Sequence, residues 1–157
     1  MRISLLCVGR LTLPCLNEGC KEFAERLKRY LPLSIIEIKE HKTGRKQDVS
    51  RIVAKEGDHL EQRIPSGSYV IALDQKGKGL SSEQLAALMQ EHMLRSLPEW
   101  TLLVGGPYGL SEALRKRADL VLSLSPMTLT HQMARLLLLE QLYRCCTIIR
   151  NEPYHHQ

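Results

Sequence analysis

Apolar positions along this chain recur in two alternating periods. Ile3 through Val8 is a nearly unbroken apolar run, the mark of a strand covered on both faces. Helical spacing follows at Cys20, Phe23, Ala24, Leu27 and Leu31, with Asn17 as the expected N-cap and Pro32 as the stop. From Ser34 to Lys39, Ile36 and Ile38 alternate with Glu37 and Lys39, which predicts a strand with one wetter face. Asp48 can cap a second helix carrying Ile52, Val53, Leu60 and Ile64. Tyr69 to Leu73 is apolar enough to be a central strand, expected to break at Gly77 and Gly79. Ser81 and Gln84 have capping-box spacing ahead of a helix that buries Leu85, Leu88, Met89 and His92. Leu102 to Val104, a short helix over 111–118, Leu120 to Leu124 and a last helix over 130–146 complete the series.

Strands alternating with helices predict an α/β fold, a mostly parallel sheet with helices on both faces, in one domain over residues 1–157. The basic stretch Glu40–Gln47 lacks apolar residues and is the expected surface loop. With 43% apolar and 25% charged residues the chain has the composition of a folded domain. A net charge of +5 favours a polyanionic partner. Cys7, Cys15, Cys20, Cys145 and Cys146 form no C-x-x-C and fit small apolar residues in a reducing compartment. The first ten residues are too short an apolar run for a signal peptide, and no stretch reaches the length of a membrane span; the expected location is the cytoplasm.

Chemistry concentrates in three places. Leu102-Leu103-Val104 runs into Gly105-Gly106-Pro107-Tyr108-Gly109, so bare backbone arrives at the carboxyl edge of the sheet, where α/β folds hold ligands. The G-x-G-x-x-G spacing is absent, Pro107 removes an amide donor, and no G-K-[ST] follows, which excludes dinucleotide and P-loop phosphate cradles. The loop is then either a site where a neutral or cationic ligand meets the backbone or a tight turn that needs positive φ. Leu124-Ser125-Pro126-Met127-Thr128-Leu129 forms the second junction, with hydroxyls that either face a ligand or cap the next helix. His131 opens that helix. Leu136 to Leu139 are apolar round a full turn, which predicts a helix buried on all sides, in the core or at a subunit interface, while Arg135, Glu140 and Arg144 can pair along it. The third place is the tail, which ends Tyr154-His155-His156-Gln157. No Cys, His, Asp and Glu group has zinc-ligand spacing, so no metal is expected.

In combination these segments resemble the SPOUT-class methyltransferases that modify pseudouridine in bacterial large-subunit ribosomal RNA. The resemblance runs through Ile3 to Gly9, Leu73-Asp74, Gly77-Lys78 and Ser82-Glu83. It is strongest in Val104 to Leu110, Leu122 to Leu129, His131, Arg135, Glu140 to Arg144 and Tyr154-His155. It implies a C-terminal deep trefoil knot over about 101–157, an exception to the rule that chains do not thread their own loops. It also implies S-adenosylmethionine bound by Leu73, Gly105, Leu124, Ser125, Pro126, Met127, Thr128 and Leu129, and a homodimer packed around the knot. The implied substrate is a pseudouridine of 23S rRNA in the assembled ribosome, methylated at N3. In that frame His155 acts as base or positions the uracil edge, with Tyr154 orienting it. Two positions depart from the usual pattern: Thr130 stands where proline commonly precedes the histidine, and His156 where a Lys or Arg commonly follows Tyr-His. Without a separate RNA-binding domain, RNA contact is expected from Arg10, Lys116, Arg135 and His156, with Lys42, Arg45, Lys46, Arg115 and Arg117 as further phosphate partners. The competing reading is a non-catalytic nucleotide- or RNA-binding module associated with ribosomes.

Overall fold

The computed structural model describes residues 1–41 and 48–154. Most of the expected Glu40–Gln47 loop therefore lies outside the described residues, as do Lys42, Arg45, Lys46, His155 and His156. The elements, in chain order, are β1 (Arg2–Val8), α1 (Pro14–Lys28), β2 (Leu33–Ile38), α2 (Val49–Glu61) and β3 (Tyr69–Gly79). They continue as α3 (Ser82–Leu94), β4 (Glu99–Val104), α4 (Glu112–Arg117), β5 (Leu120–Ser123) and α5 (His131–Ile149). The sheet has the order β2-β1-β4-β3-β5, and every paired neighbour is parallel. All five strands thus present their carboxyl ends along one edge.

One face of the sheet is covered by α1, α3 and α5. There Leu27, Met89, Leu138 and Leu142 close over Ile3, Leu5, Ile71, Trp100 and Leu102. On the other face Leu60 of α2 and Leu114 of α4 pack on Leu6, Val70 and Leu103. Burial of both faces is why β1 and β4 read as continuous apolar runs. Leu6, Leu102 and Leu103 are fully buried, and truncating any one to alanine costs about 2–5 kcal/mol.

Most local signals act as their chemistry predicts. Asp48 accepts from Ser50 N at 2.9 Å at the start of α2. Ser81 and Gln84 form a complete capping box on α3. Two expectations need correction. The first is the start of α1, which lies at Pro14 rather than after Asn17. Proline at the first helical positions needs no amide partner, and the Gln132 side chain accepts from Thr12 N and Leu13 N at 2.8 and 3.2 Å. The second is Gly77, which does not break β3: the strand runs through it and ends at Gly79, the second of the two glycines expected to stop it. The strand slips register between Leu73 and Lys78, so that both face Leu122 of β5. Gly77 is the residue that permits this, because a Cβ there would lie 2.6 Å from the Val121 carbonyl oxygen.

Helix α5 is partly as expected. Leu138, Leu139 and Leu142 are buried, whereas Leu136 and Leu137 are half-buried, and no residue from His131 to Ile149 is exposed. The cysteines are all free thiols, and all but Cys15 are buried. Burial pushes the Cys7 thiol up to about 12, which removes it from thiolate chemistry.

Candidate cofactor cavity and its surroundings

A cavity of about 700 Å³ opens at the carboxyl ends of β3, β4 and β5, between the start of α4 and the start of α5. That volume suits a cofactor-sized molecule. The two strand-to-loop junctions singled out in the sequence form opposite walls. Gly105 to Gly109 make one, and Leu124, Ser125, Met127, Thr128 and Leu129 the other, with Leu73 at the end of the apolar part of β3. Pro126 is not among the lining residues; it bends the loop while its neighbours face the cavity.

The glycine loop is a tight turn as well as a wall. Gly109 has φ +77° and its N–H donates to the Gly106 carbonyl at 2.9 Å. A Cβ on Gly105 would sit 2.5 Å from Gly109 C, so only glycine allows the turn to close. On the opposite wall the hydroxyls are engaged locally. Ser125 Oγ accepts from Met127 N at 3.0 Å, and Thr128 Oγ1 donates to Gln75 Oε1 at 2.6 Å. Ser123 Oγ lies within hydrogen-bonding distance of the Gln75 and Ser125 carbonyls, at 3.1 and 2.9 Å. The α5 cap is Thr130, whose hydroxyl accepts from Met133 N at 3.2 Å.

Charge in the cavity is largely paired. Arg115 Nη1 lies 2.9 Å from Asp74 Oδ2, and Lys116 pairs with Glu112 at 2.7 Å. Lys116 is otherwise exposed, and Arg10 is exposed just after β1. Arg135 differs from the expectation of an RNA contact. It is 1% exposed, its Nη1 donates to Glu37 Oε1 at 2.7 Å, and its Nη2 donates to the Val8 and Gly9 carbonyls. Its guanidinium is consumed inside the fold, tying α5 to β1 and β2. Arg117 pairs with Glu61 across to α2.

Tyr154 does not reach the cavity of its own chain. Its hydroxyl donates to Glu140 Oε1 at 3.2 Å, and its ring meets Tyr143 edge-on with centroids 4.7 Å apart. The Arg144 guanidinium covers the same ring at 4.8 Å, and Tyr30, in the turn after α1, hydrogen-bonds Glu152, fixing the approach to the tail. Glu140 lies nine residues beyond His131, about 13 Å further along the α5 axis. Sequence reasoning passed over His131 as a cavity residue, although it lines the wall directly. Burial, reinforced by Arg135 and opposed by Glu40, holds its imidazole below the ordinary 6.5.

These residues fit S-adenosylmethionine. Leu73, Val104, Leu124 and Leu129 offer apolar walls for a ring, the loop backbone offers polar edges, and nothing at Pro107 resembles a phosphate cradle. A sulfonium cofactor needs none.

Residues 1–155 match the family described as "Predicted SPOUT methyltransferase". Among curated proteins, the chain is 57% identical over 157 residues to the ribosomal RNA large subunit methyltransferase H of Syntrophotalea carbinolica, covering 100% of both chains. Among solved structures it is similar to a probable methyltransferase from Bordetella pertussis, with TM-score 0.59, 15% identity, and coverage of 92% of this chain and 94% of that one. A Legionella pneumophila protein solved with its bound cofactor SAM aligns with TM-score 0.51 and 16% identity, over 90% of this chain and 65% of that one. At these identities the structural likeness establishes the fold alone.

Proposed function

The chain belongs to the SPOUT methyltransferase family, and from that premise we propose that it transfers a methyl group from S-adenosylmethionine to N3 of a pseudouridine in 23S rRNA. The observation that carries this reading is the cavity between the Gly105–Gly109 turn and the Leu124–Leu129 loop, whose loops form no phosphate cradle. The 57% identity to a large-subunit rRNA methyltransferase, over the full length of both chains, supports the substrate class. The reading includes a knotted C-terminal region, a homodimer, the assembled ribosome as the substrate's setting, and the cytoplasm as location. Among the described residues no helix is long and apolar enough to cross a membrane.

When bound, S-adenosylmethionine supplies an electrophilic methyl group. The chain's own task is placement, since an in-line displacement gains most from holding the acceptor at attack distance. Leu73, Gly105, Leu124, Ser125, Met127, Thr128 and Leu129 hold the cofactor, with Pro126 shaping their loop. Arg10 and Lys116 flank the cavity as phosphate contacts, and each acts through counterion release. Tyr154 and His155 position the uracil edge. Tyr154 is seated on α5 and is not among the residues that line its own cavity, which supports a reading in which the tail of a second copy completes the site. The half-buried Met133 and Leu137 on α5 provide apolar surface for that second copy.

Mass spectrometry of 23S rRNA fragments from cells with and without the gene tests the reading. Loss of one methyl from one pseudouridine is expected, with restoration by the purified protein and S-adenosylmethionine. Unchanged rRNA, or calorimetric binding of NAD or ATP in preference to S-adenosylmethionine, would reject it.

A further inference from the structure

Resting on the methyl transfer proposed above, we propose that His131 accepts the N3 proton of the pseudouridine. An imide nitrogen must lose its proton before its pair can attack, and the acceptor has to be in its basic form, free of a competing partner, and within reach at the cavity wall. His131 meets both conditions by position. It lines the cavity, and among the described residues neither of its ring nitrogens has a hydrogen-bond partner. The other described imidazoles are engaged elsewhere. His92 is buried and accepts from Trp100 Nε1 at 2.8 Å, while His41 and His59 meet at a tilt with centroids 5.5 Å apart and do not line the cavity.

The surroundings aim His131 at incoming RNA. It stands at the end of the cavity nearest β1. There a side chain on Gly9 would come within 3.1 Å of Glu40 Oε2 and 3.6 Å of His131 Nε2. Gly9 takes φ +81°, and the exposed Arg10 follows it directly. The next residue of α5, Gln132, holds the loop after Arg10. Its Oε1 accepts from Thr12 N and Leu13 N, and its Nε2 donates to Thr12 Oγ1 at 3.0 Å. One helical turn thus carries the proton acceptor and anchors the loop that bears a phosphate contact.

The charged groups around the ring favour the neutral base. Arg135 disfavours the imidazolium and Glu40 favours it, with burial the largest influence and against the charge. Arg135 is itself engaged by Glu37 from β2, and the ion pairs Asp74–Arg115 and Glu112–Lys116 face the cavity from β3 and α4. In the step, the N3–H proton passes to a ring nitrogen and the N3–CH₃ bond forms from the freed pair. The methyl–sulfur bond breaks, its electrons leaving a neutral thioether. The imidazolium then returns its proton to water.

The experiment uses full-length protein and ribosomal subunits from cells lacking the gene. His131→Gln is expected to bind S-adenosylmethionine within about threefold of wild type by calorimetry. Its single-turnover methylation at saturating cofactor should fall about 10²- to 10⁴-fold. Added imidazole should restore part of the rate to His131→Ala. Proton NMR of the His131 ring, assigned by its loss in the variant, should titrate below 6.5 and match the acid limb of the wild-type pH–rate profile. A His131→Gln enzyme that keeps the wild-type acid limb, or a His155→Gln enzyme that alone removes it, would overturn the assignment. So would an intact rate with cofactor affinity as the sole loss. Failure of the wild-type protein to methylate any pseudouridine would instead reject the underlying function.

Discussion

Replacing Arg135 by methionine separates a structural cation from an RNA contact. The side chain is 1% exposed, and the guanidinium makes one bond to Glu37 and two to backbone carbonyls at the end of β1. Hydrogen bonds from a charged donor contribute about 1.5–3 kcal/mol each, so the gross loss from three is roughly 5–9 kcal/mol. Two terms reduce it. Burying the guanidinium costs several kcal/mol in the native protein, all the more because its Nε is buried without a partner. Glu37 also keeps about a third of its side chain in solvent and rehydrates when left alone. The net expectation for Arg135→Met is about 3 kcal/mol of lost stability, read as a fall of about 6–12 °C in Tm for a chain of this size. A urea titration should show a lower midpoint at unchanged m-value. The second readout is RNA binding across salt concentrations. Arg135→Met should leave the slope of log K against log salt unchanged, whereas Arg10→Gln should reduce it by about 1. A variant of wild-type Tm whose salt slope drops would refute the argument and return Arg135 to the RNA surface.

Three further outcomes can be measured directly. Gly105→Ala places a methyl 2.5 Å from Gly109 C and must open the turn. Calorimetry should show S-adenosylmethionine affinity falling more than about tenfold, roughly 1.4 kcal/mol, while Gly79→Ala, with nothing within 4 Å, leaves it unchanged. Glu56 is 2% exposed, accepts from His41 N at 2.9 Å and leaves Oε2 unpaired, so burial raises its carboxyl above the ordinary 4.5. A raised carboxyl stabilises below 4.5 and loses that contribution as pH climbs through the folded value. Glu56→Gln, which keeps the His41 bond without a charge, should therefore gain Tm relative to wild type at pH 8 and not at pH 4. Finally, an RNA contact by His156 should make binding weaker near pH 8 than near pH 6, and His156→Lys should flatten that dependence in filter-binding assays.

The layers of this fold were legible because burial on both sides of the sheet writes continuous apolar runs at Ile3–Val8 and Leu102–Val104. Caps at Asp48 and Ser81 were equally legible, since a cap is a contact between residues a few positions apart. What escaped depends on distant partners. The slip in β3 rests on Gly77 approaching the Val121 carbonyl, which no local pattern encodes. Arg135 looked like a member of the intrahelical pairs along α5. Glu140–Arg144 is such a pair, four residues apart, but Arg135 turns inward to Glu37, 98 residues away. The lips of the cavity were found because strands ending in glycine or proline loops mark the carboxyl edge of a parallel sheet. His131 was undervalued for the same reason that Arg135 was misplaced: a first-turn histidine reveals its cavity only once Gly9 and Glu40 are folded beside it.

Helix α5 joins these parts, and its length constrains how a complete site is assembled. Its first residue lines the cavity, while its middle, at Glu140, Tyr143 and Arg144, seats the tail through Tyr154. About 13 Å of helix separates the two within one chain, and Tyr154 is held from three sides, by Glu140, Tyr143 and Arg144. A chain cut after residue 153 should therefore bind S-adenosylmethionine but not methylate. A Gly105→Ala chain, with its cofactor affinity lowered, should not methylate at a cofactor concentration near the wild-type Kd. Mixing the two through unfolding and refolding distinguishes the routes. If each tail serves a partner's cavity, half of the dimers are mixed and each has one complete site. Activity then returns to about a quarter of the wild-type value per chain when both sites act independently. If each tail serves its own cavity, no combination contains a complete site and the mixture stays inactive. Recovery above background would tie methylation to the dimer, and silence from a mixture with proven heterodimers would require Tyr154 to leave its seat on α5 during the reaction.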